Sequence, residues 1–149
     1  MENILNTIKI RKLQKEEIAI VVELWYETSI KVHDFISKEY WQTNKAEMQE
    51  TYIPNSETYV AEIDKNIVGF ISLMNDYLAA IFVKPEEQGK KIGTALLNYV
   101  KNTKEKLELK VYSKNIKSVE FYKKNDFSVQ TESIDENTGE KELLMEWAK

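Results

Sequence analysis

The sequence predicts one α/β domain over residues 1–149, built on a mixed sheet in the order β-α-α-β-β-β-α-β-α-β-β. Three observations predict this fold class. A length of 149 residues is typical of one domain. Segments with the two-residue period of strands alternate with segments that have the period of helices. One central segment, residues 77–83, is almost continuously apolar, which is typical of a strand buried on both faces.

The individual elements follow from these periodicities. The first helix places Ile18, Val21, Val22 and Trp25 on one face, and residues 28–52 favour a helix–loop–helix. Two later helices are predicted from Ile92 to Val100 and from Ile116 to Lys124. The predicted strands cover residues 8–13, 58–63, 67–74, 77–83, 107–111, 127–130 and 142–147.

The composition excludes several kinds of site. Hydrophobic residues form 42% and charged residues 31% of the chain, which is typical of a globular fold. The chain contains no cysteine, so disulfides, zinc–thiolate centres and cysteine nucleophiles are excluded. Its single histidine, His33, excludes a cluster of histidine ligands, and we expect no metal.

The hydropathy pattern gives an expected location. No apolar run approaches the ~20 residues needed to span a bilayer. The N-terminal residues MENILNTIKI lack the basic and apolar regions of a signal peptide. We therefore expect a cytoplasmic protein with no membrane partner, present as a monomer or a homodimer.

The net charge of −4 is unevenly distributed. Residues 84–124 hold 11 lysines and 5 glutamates, whereas the remaining segments hold 10 basic and 20 acidic residues. One interpretation is solvated helix faces. The other is a basic segment that meets an anionic ligand and an acidic remainder that meets a cationic one. Because no arginine cluster is present, we expect no nucleic acid partner.

A glycine-containing loop lies between the apolar strand and the next helix. Gly89 and Gly93 flank Lys90 and Lys91 there. The free N–H groups at a helix N-terminus and the helix dipole favour bound anions, and the two lysines add to that field. A plain strand–helix connection is the alternative interpretation of this loop.

Two motifs at this point resemble those of the GCN5-related N-acetyltransferase (GNAT) superfamily. In that family the loop reads Arg or Gln, two variable residues, Gly, one variable residue, then Gly or Ala. Gln88 and Gly93 match this pattern, Gly89 matches a common variant, and Lys91 stands where the first glycine is expected. About thirty residues later, Asn115 and residues 118–127 resemble the family's helix and turn with its Phe-Tyr pair, although Asp126 replaces the usual glycine.

The order of elements agrees with this family along the whole chain. Within the superfamily the chain is most similar to the small bacterial branch that includes YiaC and YjaB. That branch shares the tryptophan-containing first helix and a segment like His33-Asp34-Phe35-Ile36.

The resemblance implies acetyl-CoA as co-substrate and a set of residues that bind it. Backbone groups of Phe82 and Val83 would pair with the pantetheine arm, and amides of the loop would hold the pyrophosphate. Asn115 would contact the pantetheine amide or position the reacting region. The implied cofactor-binding residues are Phe82, Val83, Gln88, Gly89, Lys90, Lys91, Ile92, Gly93, Thr94 and Asn115.

The resemblance also implies that Tyr122 is the general acid that protonates the departing thiolate, since a phenol keeps its proton at neutral pH. The sequence leaves the general base open between His33 and Glu62. Trp25, Phe35 and Phe70, with Tyr40 and Trp41, are candidates for the wall of the acceptor pocket. Amides of residues 77–83 would stabilise the oxyanion.

The expected function is therefore acetyl transfer to a primary amine by direct attack in a ternary complex. The acceptor would be a protein lysine, a protein N-terminus or a small amine. The alternative is a catalytically silent CoA-binding or interaction module, which Lys91 in the loop favours. A third hypothesis, an RNA-binding domain that uses the lysines of residues 84–124, has the least support.

Overall fold

A computed structural model describes residues 7–149. Residues 1–6, which are part of the N-terminal segment that lacks the features of a signal peptide, lie outside the described residues. The element order is the predicted one. The helices are α1 (Ile18–Val32), α2 (Lys38–Glu47), α3 (Ile92–Lys101) and α4 (Ile116–Lys124). The strands are β1 (Lys9–Lys12), β2 (Glu57–Ile63), β3 (Asn66–Met74), β4 (Tyr77–Val83), β5 (Lys106–Tyr112), β6 (Ser128–Ile134) and β7 (Lys141–Ala148).

Seven strands form one mixed sheet in the order β1-β2-β3-β4-β5-β7-β6. Neighbouring strands are antiparallel except β4 and β5, which are parallel. Among the described residues, this parallel pair is limited to Tyr77 opposite Glu108, at the start of both strands. Because the two strands then diverge, the sheet is open between them towards the carboxyl end of β4.

Helices cover the two faces of the sheet and bury two apolar clusters. On one face α3 and α4 pack against a cluster that includes Leu96, Leu97, Leu107 and Leu109. On the other face α1 and α2 pack against a cluster that includes Val21, Val22, Val60 and Phe70. The strands β2, β3 and β4 supply residues to both clusters, because successive side chains of a strand point to opposite faces of the sheet.

Arg11, on the edge strand β1, connects the sheet to the turn that precedes α1. Its Nε donates to Glu62 Oε1 at 2.7 Å, and its terminal nitrogens donate to both oxygens of Glu17 at 2.9 and 2.7 Å. The guanidinium lowers the pKa of Glu17, and the two carboxylates raise the pKa of Arg11. This forked contact holds the short strand β1 against β2.

Gly93 allows α3 and α4 to approach closely. A Cβ built at this position would lie 2.8 Å from Cζ of Phe121 on α4. Gly93 therefore has a packing role between the helices, whatever role its amide has in the loop. None of the helices within residues 7–149 combines the length and the apolar character that a membrane crossing requires.

Candidate active site

A cleft of about 520 Å³ lies where β4 and β5 diverge. This volume is within the range of small-molecule sites. Residues from both strands and from α1, α2 and α4 line the cleft, so it opens between the two helical layers. Its polar and aromatic lining is Trp25, Thr28, His33, Tyr40, Trp41, Tyr52, Tyr77, Phe82, Gln88, Lys110, Tyr112, Asn115, Ser118, Tyr122 and Glu142.

The register of β4 decides which backbone groups face this cleft. Lys84 N–H donates to Val68 O at 2.8 Å, and Phe82 lies opposite Phe70 on β3. Since hydrogen-bonded and non-hydrogen-bonded pairs alternate in an antiparallel ladder, Phe82 directs its backbone groups to β3. Val83 and Ile81 direct theirs towards the cleft. The backbone of Val83 is therefore placed as expected for pairing with a ligand in the cleft. The backbone of Phe82 faces β3 instead, and Ile81 is the second residue whose backbone groups face the cleft.

The loop before α3 combines two left-handed residues with a free helix start. Gly89 has φ of +88° with no neighbouring atom within 4 Å of a built Cβ, and Lys91, the N-cap, has φ of 66°. Ala95 N–H donates to Lys91 O at 3.0 Å, so the amides of residues 92–94 precede the first intrahelical bond. The Ile92 side chain is buried in the core, so only its backbone can contact a ligand in the loop. The backbone amides of Ile92, Gly93 and Thr94 are therefore available to an anion.

Two side chains restrain this loop. Gln88 Nε2 donates to Val83 O at 3.1 Å, which connects the loop to the cleft-facing backbone of β4. Lys90 forms an exposed ion pair with Glu87 at 2.9 Å. The left-handed backbone of Lys91 explains why a glycine is expected there, because glycine adopts positive φ without a steric cost.

Tyr122 lies on α4 with its ring between Phe121 and Phe127. The residue is 8% exposed and lines the cleft. Burial, with a smaller contribution from Tyr77, raises the pKa of Tyr122. The phenol therefore stays protonated at neutral pH and can donate a hydrogen bond or a proton.

Asn115 and His33 form a hydrogen bond across the cleft. Asn115 is the N-cap of α4, and its Oδ1 accepts from Ser118 N–H at 3.3 Å. Its Nδ2 lies 3.0 Å from Nε2 of His33, which ends α1. An amide nitrogen can only donate, so His33 Nε2 accepts and the proton of the neutral imidazole is on Nδ1.

This geometry does not support His33 as the general base. Burial lowers the pKa of His33 to about 4, so the ring is neutral at pH 7. Its accepting nitrogen is already bonded to Asn115, and Nδ1 is buried without a partner among the described residues. His33 therefore offers a donor rather than a free lone pair. Its ring also stacks on Trp41, with centroids 5.3 Å apart.

Glu62, the other candidate base, does not reach the cleft. It lies on β2 near the opposite edge of the sheet, in the ion pair with Arg11. The alternating pattern of β2 gave no indication of this partner, which is 51 residues away in sequence. The structure therefore does not support Glu62 as the general base.

The predicted aromatic wall is partly present. Trp25, Tyr40 and Trp41 line the cleft, and Phe35 packs behind it against His33 and Tyr112. Phe70 is fully buried and stacks on Phe82 in the core, so the expectation that it lines the acceptor pocket is wrong.

The residues of the cleft lining that the sequence analysis did not assign to the site include Tyr52, Tyr77, Tyr112 and Glu142. Two of them, Tyr112 and Glu142, face each other across β5 and β7, and only the register of that pair brings them together. Within residues 7–149 no group of three or more His, Asp or Glu side chains is arranged to hold a metal ion.

Comparison with known proteins gives a consistent result. The model of the acetyltransferase (GNAT) domain matches residues 14–149. The chain is 33% identical over 139 residues to the peptidyl-lysine N-acetyltransferase YiaC of Escherichia coli, covering 93% of this chain and 95% of that one. It is 29% identical to the peptidyl-lysine N-acetyltransferase YjaB of the same organism, covering 95% and 96%.

Solved structures agree with these sequence relatives. The solution structure of apo YjaB from Escherichia coli superposes with a TM-score of 0.84 at 27% identity, covering 95% of this chain and 97% of that one. The crystal structure of PaiA N-acetyltransferase from Thermoplasma acidophilum in complex with coenzyme A has a TM-score of 0.80 at 26% identity, covering 96% and 99%.

The left-handed backbone of Lys91 gives a prediction for stability. Lys91→Gly should raise the free energy of unfolding by about 0.5–1 kcal/mol, because the steric cost of positive φ exceeds the entropic cost of glycine. Lys90→Gly is the matched control, since Lys90 carries the same charge and has no positive φ; it should lower the free energy. Urea denaturation measures both, and a loss of stability in Lys91→Gly equal to that in the control would contradict the assigned backbone.

Proposed function

The chain belongs to the GNAT family of acetyltransferases, and on this premise we propose that it acetylates lysine side chains of proteins. Two relatives that match almost the whole chain are named peptidyl-lysine N-acetyltransferases. The acidic excess outside residues 84–124, with 20 acidic and 10 basic residues, favours a cationic acceptor of this kind.

The geometry fits acetyl-CoA as the acetyl donor. The cleft-facing backbone groups of Ile81 and Val83 would pair with the amides of the pantetheine arm, much as an additional strand pairs at a sheet edge. Gln88 would release Val83 O to allow this pairing. The amides of residues 89–94 at the start of α3 would hold the pyrophosphate, and the space around Gly89 allows close approach.

The reaction proposed for this cleft is direct transfer. The chain has no cysteine that could carry the acetyl group, so the amine attacks the thioester carbonyl itself. A cleft-facing amide of β4 that the pantetheine arm leaves unpaired would donate to the oxygen on which negative charge develops. Tyr122 would protonate the departing sulfur, because its buried phenol holds a proton that it can donate.

One observation carries this proposal more than any other. The cleft lies in the gap between diverging parallel strands and is lined from both helical layers of the molecule. The α3–α4 layer contributes Gln88, Asn115 and Tyr122, whereas the α1–α2 layer contributes Trp25, Tyr40 and Trp41. A donor and an acceptor can therefore approach the same point from opposite faces, as a ternary complex requires.

Cofactor binding and acceptor choice can be tested together. Acetyl-CoA should raise the melting temperature, since saturation to one hundred times Kd stabilises by about 2.7 kcal/mol. Release of free thiol should occur with lysine-containing peptides blocked at the N-terminus. Control peptides with arginine in place of lysine should give no release. Turnover with spermidine but not with the peptides would exclude the protein acceptor, and binding without any turnover would indicate the silent module.

Tyr122→Phe tests the proposed acid. The substitution keeps the ring and removes only the hydroxyl, so kcat should fall by about 10²-fold while the melting temperature and the affinity for CoA are retained. Tyr99→Phe is the matched control, because Tyr99 lies on α3, is 39% exposed and does not line the cleft. If kcat in Tyr122→Phe equals that of the control, another group must protonate the sulfur.

A further inference from the structure

Glu142 is the one carboxylate among the described residues that line the cleft. It is the second residue of β7, directly opposite Tyr112 on β5 and Ser133 on β6. Its side chain is 15% exposed. The strand register therefore places the largely buried Glu142 side chain on one wall of the cleft. Helices α1 and α2 cover this wall.

The surroundings of Glu142 leave its charge poorly compensated. Within residues 7–149 its oxygens accept no hydrogen bond, although the neighbouring Asp135 accepts one from the Tyr112 hydroxyl at 2.6 Å and one from Asn137 N–H at 2.9 Å. Its one ion pair, with Lys110, is long at 3.9 Å, and Lys110 is half exposed, so this pair contributes little. A partly exposed carboxylate on the cleft wall, with no hydrogen-bond donor among the described residues, can receive a cationic or hydrogen-bond-donating ligand from the cleft.

The groups packed around Glu142 come from several elements. Tyr77 of β4 and Tyr40 of α2 interact electrostatically with it, as do Lys110 and Asp135. Tyr77 also interacts electrostatically with Tyr122. Glu142, Tyr77 and Tyr122 all line the same cleft.

We propose that Glu142 binds the ammonium of the acceptor lysine and takes the proton that must leave before the amine can attack. This inference rests on the proposed acetyl transfer and adds the residue that activates the acceptor. Tyr40 and Tyr112 form the adjacent wall, where aromatic faces hold the methylene chain and favour a cation.

Elimination among the lining residues supports the same assignment. His33 has no free lone pair, because its accepting nitrogen is bonded to Asn115. Tyr40, Tyr77 and Tyr112 have raised pKa values, so each phenol keeps its proton. Burial and the nearby Asp135 raise the pKa of Glu142, which makes it a stronger base than an exposed glutamate.

The proton balance is complete with these residues. Glu142 accepts the first proton of the ammonium, and the neutral amine forms the C–N bond to the acetyl carbonyl carbon. The C–S bond breaks, and Tyr122 gives its proton to the sulfur. The second proton lost by the nitrogen restores the Tyr122 phenol. Glu142 then releases its proton to solvent, so one proton leaves per acetyl group transferred.

Glu142→Gln removes the base and nearly preserves the shape of the side chain. At pH 7, kcat/KM for the lysine peptide should fall by about 10²-fold, while the melting temperature and affinity for CoA stay as in the wild type. Activity should then rise about tenfold per pH unit from pH 7 to 9, because only free amine reacts and the lysine pKa is about 10.4. Wild-type activity should depend much less on pH over this range.

Three further variants make the pH profile decisive. Glu146→Gln is the matched control, since Glu146 lies on the same strand and face but does not line the cleft, and its profile should equal that of the wild type. Glu142→Asp keeps the carboxylate, so it should retain the wild-type profile at reduced rate. Lys110 lowers the pKa of Glu142. In Lys110→Met the loss of kcat/KM at acidic pH should therefore begin at a higher pH than in the wild type.

The profile also separates this inference from the proposed function. Equal losses in Glu142→Gln and Glu142→Asp at every pH would overturn the assignment, because a merely structural role predicts a loss that does not depend on pH. If the wild type acetylates another amine instead of peptide lysine, the proposed acceptor fails. The same profile measured with that amine then still tests Glu142.

Discussion

The divergence of two parallel strands is the constraint on which the rest of the molecule depends. β4 and β5 pair only through Tyr77 and Glu108 among the described residues, so the backbone groups of Ile81 and Val83 lack a neighbouring strand. Backbone donors and acceptors require partners, and in this structure the Gln88 side chain supplies one to Val83 O. An amide-containing ligand or water can pair with the others. The fixed register of β3 with β4 decides which residues have this free side. The cleft is thus a consequence of sheet topology, and the side chains around it add the chemistry.

The two helical layers divide that chemistry. The layer of α3 and α4 supplies a helix start with free amides and a phenol that burial keeps protonated. The layer of α1 and α2 covers the wall that holds aromatic rings and the carboxylate of Glu142, whose pKa burial raises. One residue can therefore give a proton and the other take one, and environment assigns the two roles. The bond between His33 and Asn115 ties the layers together at the cleft and occupies the histidine.

Periodicity in the sequence was sufficient to predict the order of all eleven elements, because strand and helix periods are local properties. Tyr122 and Asn115, which the resemblance to the family's motif implied for the site, both line the cleft. The structure places Glu62 and Phe70 away from the cleft lining, since alternation shows which side of a strand a residue occupies and not what covers it. Likewise, the partner of His33 lies 82 residues away, and the place of Glu142 depends on the pairing of β5 with β7. Such contacts belong to tertiary structure, and no local pattern encodes them.

Backbone amide NMR spectra recorded during titration with CoA test the central claim most directly. The account predicts that the amides of Ile81 and Val83 shift together with those of residues 88–94, while amides of β1 and β6, at the two sheet edges, stay unchanged. Ile71, which pairs with Ile81 from β3, serves as an internal reference for indirect effects on the same sheet. Shifts confined to the loop, with Ile81 and Val83 unmoved at saturation, would contradict the claim that the gap between β4 and β5 receives the pantetheine arm.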